Sequence, residues 1–190
     1  MHHAIPAALQ VTTDQTQTHD QMGRKRTWNK WGKKQVATMG MVEKGTFTLM
    51  LSISTSGELL PMQTIFFGQT EDSCPKKGAH CYAEAKKHRF KFEPSCSTTY
   101  WSTQATMQSL VNDIITLYFN KKKEELGLPS KQCPLWMINC WSVHKSKEFH
   151  NWMKKTHPTI IISYIPGGCT GVWQPLNVGI QCVLKQSVSN

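Results

Sequence analysis

PLWMINCWSVHKSKEFHNWMKKTHPTIIISYI, residues 134–165, decides the fold class. Pro134 to Asn139 is a short apolar run, too brief for a helix and suited to a buried strand. Ser146 is then placed to cap a helix in which Phe149, Trp152 and Met153 share one face. Thr159 to Ile165 is apolar and β-branched again, a second buried strand. Gly167 to Gly171 follows as a loop, and Pro175 takes the first position of a last helix that turns Leu176, Ile180, Val183 and Leu184 inward. The second half of the chain thus alternates strand, helix, strand, helix.

The first half is different in kind. Gly45 to Phe67 holds two strand-like runs around Thr55-Ser56-Gly57-Glu58, a hairpin by its β-branched content and its glycine turn. Leu9 to Thr13 and Val36 to Val42 are two further short strand candidates. Cys74 to Ser97 is irregular and carries Lys76, Lys77, Lys86, Lys87, Arg89 and Lys91, so it reads as a solvated basic loop or insertion. Met107, Leu110, Val111, Ile114, Ile115 and Tyr118 then recur at three and four residues, one apolar face of a helix from about Thr103 to Leu126. Ser102 is its expected N-cap, Gly127 its stop and Lys121 to Glu125 its solvated end. Antiparallel strands followed by alternating strands and helices imply an α/β fold, a mixed sheet with helices on both faces. Neither an internal repeat nor a linker divides the chain, so residues 1–190 are expected to form one domain.

The 190 residues are 39% apolar, enough for a real core, with 22 Lys and Arg against 12 Asp and Glu. The resulting formal charge of +10 points to an anionic partner, nucleic acid or a membrane surface. No apolar run approaches the roughly 20 residues that cross a bilayer, and Met1 to Pro6 lacks a charged segment followed by an apolar one. A soluble, unsecreted protein is expected. The 7 cysteines have no CxxC pair and fit free thiols in a reducing compartment. Cys74, His80, Cys81 and His88 come nearest to a zinc set, but structural zinc usually has tighter paired spacings.

Ligand sites in such sheets gather at the carboxyl ends of the central strands. Asp14, Asn139 and Asn177 occupy positions of that kind. Around them, Asp14-Gln15-Thr16, Thr27-Trp28 with Gly32 to Val36, Trp136 to His144, Pro166 to Gly171 and Gln174 to Gly179 resemble the DDE superfamily endonuclease domain of pogo and Tigger type transposases. The match is in order and runs from about Leu9 to Lys185. It implies an RNase H-like fold and a site of three acids that hold two divalent metals, Mg2+ or Mn2+, for DNA cleavage and strand transfer.

Asp14 retains the first acid and is the one candidate metal ligand of the original kind. Asn139 stands where the second aspartate is expected, and Asn177 where an aspartate usually follows Gln-Pro-Leu. An Asn offers one neutral carbonyl oxygen and an NH2 group that a cation repels, whereas Mg2+ prefers anionic oxygen. Paired metals about 3.5 to 4 Å apart repel each other, and clustered carboxylates normally offset that repulsion. With Asp14 alone, no cofactor is expected and the domain is expected to be a pseudoenzyme. Apart from the resemblance, Asn139 reads as a strand-end turn residue, Asn177 as a helix-start residue and Asp14 as an ordinary Asx-turn. Asp20, Asp113, Glu148 and His144 are the substitute groups nearest in sequence. His150 and His157 look solvent-facing.

Arg24, Lys25, Arg26, Trp28, Lys30, Trp31, Lys33 and Lys34 interleave cations with aromatic rings, offering phosphate contacts and flat surfaces for bases. The competing reading is an exposed loop with Trp28 or Trp31 folded onto the core. No recognition helix, zinc finger or RNA-binding signature accompanies them. The helix-turn-helix modules that usually precede this endonuclease domain are expected to be absent, because the chain begins within a few residues of its first strand. The favoured expectation is a catalytically degenerate, nucleus-resident domain that still binds nucleic acid, DNA by the resemblance. An active Mg-dependent endonuclease using other acids, and a domesticated scaffold without nucleic-acid affinity, are the alternatives.

Overall fold

The computed structural model describes residues 4–19, 46–166, 168, 176–181, 183 and 184, and of His19, Asn177 and Val178 the backbone. The expected strand 36–42 and the basic stretch 24–34 lie outside the described residues.

One six-stranded sheet organises the chain. Its strands are β1 (Gln10–His19), β2 (Thr46–Ser54), β3 (Gln63–Phe66), β4 (Lys91–Pro94), β5 (Leu135–Asn139) and β6 (Ile161–Ile165), in the order β4-β3-β2-β1-β5-β6. β1, β2 and β3 run antiparallel in sequence, while β5 pairs parallel with β1 and β6 parallel with β5. The result is the mixed, RNase H-like α/β sheet. The helices are α1 (Tyr82–Lys87), α2 (Gln104–Leu110) running through a π-helical turn (Val111–Ile115) into α3 (Thr116–Glu125), α4 (Lys147–Thr156) and a last π-helical turn at Leu176–Ile180.

The hairpin forms where expected. Gly57 supplies φ +89, and Ser54 N–H closes the turn on the Glu58 carbonyl at 2.9 Å. β3 begins only at Gln63, since Pro61 has no N–H to give the ladder. β1 is longer than Leu9 to Thr13, and nearly its whole length pairs with β2, from Val11 opposite Ser54 to His19 opposite Thr46. Its extension, Asp14 to His19, is polar and so carries no apolar alternation, but its threonines are β-branched and its backbone finds a complete partner.

Residues 74–97 are more than a loop. They contain α1 and β4, and β4 joins β3 in parallel as an edge strand. Four residues with a lysine at the edge give a weak sequence signal, yet Phe92 packs its ring against Phe66, Tyr82 and Phe90. β6 forms the opposite edge. It is therefore half-exposed rather than buried, with Ile161 46% exposed and Ile162 and Tyr164 turned to the core.

The long helix is capped one residue later than expected. The Thr103 hydroxyl accepts from Thr106 N–H, and Thr106 Oγ1 accepts from Thr103 N–H at 2.8 Å. Ser102 is instead buried and donates to Gln15 Oε1 at 3.0 Å. Gly127 stops the helix at φ +61, with Leu128 N–H returning to the Lys123 carbonyl. Lys123 itself is buried, not solvated; its Nζ donates to the Ser130 carbonyl at 2.9 Å, and burial lowers its pKa.

Two apolar layers cover the sheet. On one face Val11, Met50, Trp136 and Ile138 meet Met107, Leu110, Ile115, Phe119 and Phe149 from the helices. On the other, Leu49 and Leu51 meet Leu176, with Ile180 and Leu184 against them. Val183, expected inward, is 64% exposed. The π-helical turn explains this, because it adds a residue per turn and rotates every later side chain out of the 3.6-residue phase.

Ser146 caps α4 by accepting from Phe149 N–H at 3.1 Å. Neither histidine of this helix is free in solvent: His150 Nε2 meets the Tyr164 hydroxyl at 2.9 Å, and His157 Nε2 and Nδ1 meet Asn112 Oδ1 and Thr116 Oγ1 at 2.8 and 3.2 Å. Burial holds His157 below the ordinary imidazole pKa. Its unfolded form takes a proton at about pH 6.5 while the folded form resists, so stability is full above that pH and declines as pH falls below it. Melting temperatures from about pH 8 to 5 should be flat and then fall, and His157→Gln should remove part of the fall. An equal fall in the variant would assign the effect elsewhere.

Candidate functional site at the ends of β1 and β5

Parallel pairing places the candidate residues side by side. Thr12 is in register with Met137, so Asp14 and Asn139, each two residues further on, lie at neighbouring carboxyl ends and on the same face. Asp14 stands directly opposite Leu51, which belongs to the layer covered by Leu176. The site therefore lies under the C-terminal helical segment, across the sheet from α2, α3 and α4.

Asp14 is 3% exposed, and amide donors converge on it. Its Oδ1 accepts from Asn139 Nδ2 at 2.6 Å and from Gln15 N–H at 2.9 Å. Its Oδ2 accepts from Gln181 Nε2 at 2.6 Å. An ionised carboxylate can only accept, so the orientation of the Asn139 amide is determined: NH2 toward Asp14, carbonyl away. Among the described residues Asn139 Oδ1 is buried and has no hydrogen-bond partner. The oxygens of Asp14 that could face a cation thus face N–H groups.

His144 supports the strand end. Its Nδ1 lies 2.9 Å from the Asn139 carbonyl, which can only accept, so the proton sits on Nδ1 and Nε2 carries a lone pair. That Nε2 is buried without a hydrogen-bond partner among the described residues. Burial lowers the pKa against the opposing pull of the Asn139 hydrogen bond, so the ring is neutral at pH 7. Tyr164 O–H donates to the His144 carbonyl at 2.7 Å, which ties β6 to the same corner.

Asp14 and Asn139 are brought together as the spacing of the strands suggested. Asn177 lies within the Leu176–Ile180 turn, and its side chain is outside the described residues, as are Asp20 and Arg24 to Lys34. Asp113 does not join the site. It belongs to the π-helical turn on the opposite face and pairs there with Lys91. Glu148 is exposed in the first turn of α4, whose Phe149 and Met153 also pack on that opposite face. Among the described residues no three of His, Cys, Asp and Glu gather into a group that could hold a metal. Gln181 is the residue sequence reasoning missed. A lone Gln in an amphipathic stretch carries no signal, and only the π-helical phase shift turns it onto Asp14.

No protein-family model matches the chain, and no curated protein does. Three solved structures are similar: a Mos1 transposase paired-end complex with left transposon end (12% identity, TM-score 0.50), a pre-cleavage Mos1 transpososome (12%, 0.53) and the Mos1 strand transfer complex (11%, 0.50). Each likeness covers 96% of this chain and 42 to 43% of the other, so the chain spans less than half the length of the proteins it matches. At such identity the likeness is one of fold.

Proposed function

We propose that this chain is a transposase-derived domain, of the pogo and Tigger kind its motifs resemble, that binds DNA and no longer cleaves it. One observation carries the loss of cleavage: Asn139 presents N–H, not oxygen, to Asp14 at 2.6 Å, and Gln181 does the same from the other side. Hydrogen-bond donors occupy the directions from which a cation would approach. The donor set, one carboxylate and neutral amides, does not fit a pair of divalent ions, which need several anionic oxygens to offset their mutual repulsion.

Binding is supported by three things: the net charge of +10, the run Arg24 to Lys34, and a fold similar to that of a transposase complexed with a transposon end. Backbone phosphates would be met by Arg24, Lys25, Arg26, Lys30, Lys33 and Lys34, and bases by Trp28 and Trp31. Nuclear residence follows from the same reading.

The test is duplex binding by fluorescence anisotropy against salt. Affinity should fall by about tenfold or more between roughly 50 and 200 mM salt, the loss that two or more phosphate contacts produce. Lys33→Ala with Lys34→Ala should flatten the slope by about two. Absent binding, or binding indifferent to salt, rejects the DNA-binding half. Nicking of supercoiled plasmid in Mg2+ or Mn2+ that disappears in Asp14→Ala rejects the other half.

A further inference from the structure

At the pole of the sheet away from Asp14 the molecule carries an open groove of about 760 Å³. Its walls are the turn after β2, the α1–β4 connection and the π-helical turn with the start of α3. The turn lies beside the first residue of β1, since Thr55 N–H donates to the Gln10 carbonyl, whereas Asp14 and Asn139 lie toward the far ends of their strands. This is a separate surface.

The floor is apolar. Leu59 and Leu117 line it while 46% and 60% exposed, which leaves a sizeable hydrocarbon area in water. The rim is cationic, but two of its lysines are already engaged: Lys91 with Glu93 and Asp113, and Lys121 with Glu125. Lys87, His88 and Arg89 project at the mouth, exposed and without an ion pair among the described residues.

Arg89 is the second observation. It sits at φ +60 just past the end of α1, where Phe90 N–H returns to the Ala85 carbonyl. Glycine is the residue that this closing position favours, and a side chain there costs about 1 kcal/mol. A guanidinium is held at the groove mouth against the local preference of the backbone, as happens where a side chain serves binding rather than folding.

We propose that this groove docks an acidic, amphipathic peptide segment of a partner protein, with apolar side chains on Leu59 and Leu117 and carboxylates against Lys87 and Arg89. A second copy of this chain is disfavoured by its own +10 charge. A nucleic-acid strand would satisfy the cations and leave the exposed leucines uncovered.

The probe is a fluorescein-labelled helical peptide with Leu at every third and fourth position and Asp or Glu elsewhere, titrated against the full chain. Saturable binding is expected, weakened about tenfold by Leu117→Asp and about tenfold by Arg89→Gly, the loss of one charge-assisted contact. Arg89→Gly should at the same time leave the melting temperature unchanged or raise it, so its weaker binding cannot be put down to unfolding. Leu117 is exposed, and its replacement should leave the melt close to that of the unmodified chain. Absent binding, or binding indifferent to both substitutions, overturns the proposal. So does a duplex oligonucleotide whose affinity falls with these substitutions while the peptide's does not.

Discussion

Trp136→Ala is expected to cost about 4 kcal/mol, the largest loss of any single truncation in this fold. Trp136 is fully buried on the helix-covered face, and its ring lies 6.4 Å from that of Phe149. Its Nε1 donates to Thr13 Oγ1 at 2.8 Å, and that hydroxyl pairs with Ser52 Oγ at 2.8 Å, so one side chain joins β5, β1 and β2. Truncation therefore opens a cavity and also strips a donor from a buried hydroxyl pair. Trp136→Phe separates the two effects. It keeps most of the volume and loses the N–H, and should cost about 1 to 2 kcal/mol. Denaturant midpoints at constant m-value measure both. Equal losses in the two variants would mean that the hydrogen bond, and not the cavity, dominates.

Asp14→Ala should lower stability by about 2 to 4 kcal/mol, and here the sign is the informative quantity. In a working metal site, clustered carboxylates repel one another without their ions, and removing one commonly stabilises the fold. Asp14 is placed differently. Its removal leaves Asn139 Nδ2 and Gln181 Nε2 buried and facing an absent acceptor, and each orphaned donor costs about 1 to 3 kcal/mol. Thermal and urea unfolding of Asp14→Ala should therefore show a clear loss. An unchanged or raised midpoint would mean that the amides serve no structural purpose and that Asp14 is kept for something other than folding.

The alternation of strand and helix from Leu135 onward was legible because buried strands and amphipathic helices have periods that differ sharply. Ser146 as a cap and Gly57 as a turn were legible for the same local reason: each supplies a group or an angle that few residues can. What escaped is non-local. The threonine-rich end of β1 is a strand because β2 lies alongside it, and β4 is one because β3 has a free edge to fill. Val183 and Gln181 exchanged their expected roles because a π-helical turn advances the phase of the last helix, which no spacing of apolar residues reveals. The placement of Asp14 beside Asn139 was readable from motif and strand end together. That an amide hydrogen would point at the carboxylate was not, since side-chain orientation depends on what else the carboxylate accepts.

The most direct measurement is calorimetric titration of the unmodified protein with Mn2+, run beside the Asn139→Asp, Asn177→Asp double variant. The expected result is no heat of binding for the unmodified chain and metal uptake by the variant, which regains the anionic oxygens. Tight Mn2+ uptake by the unmodified chain, abolished by Asp14→Ala, would contradict it.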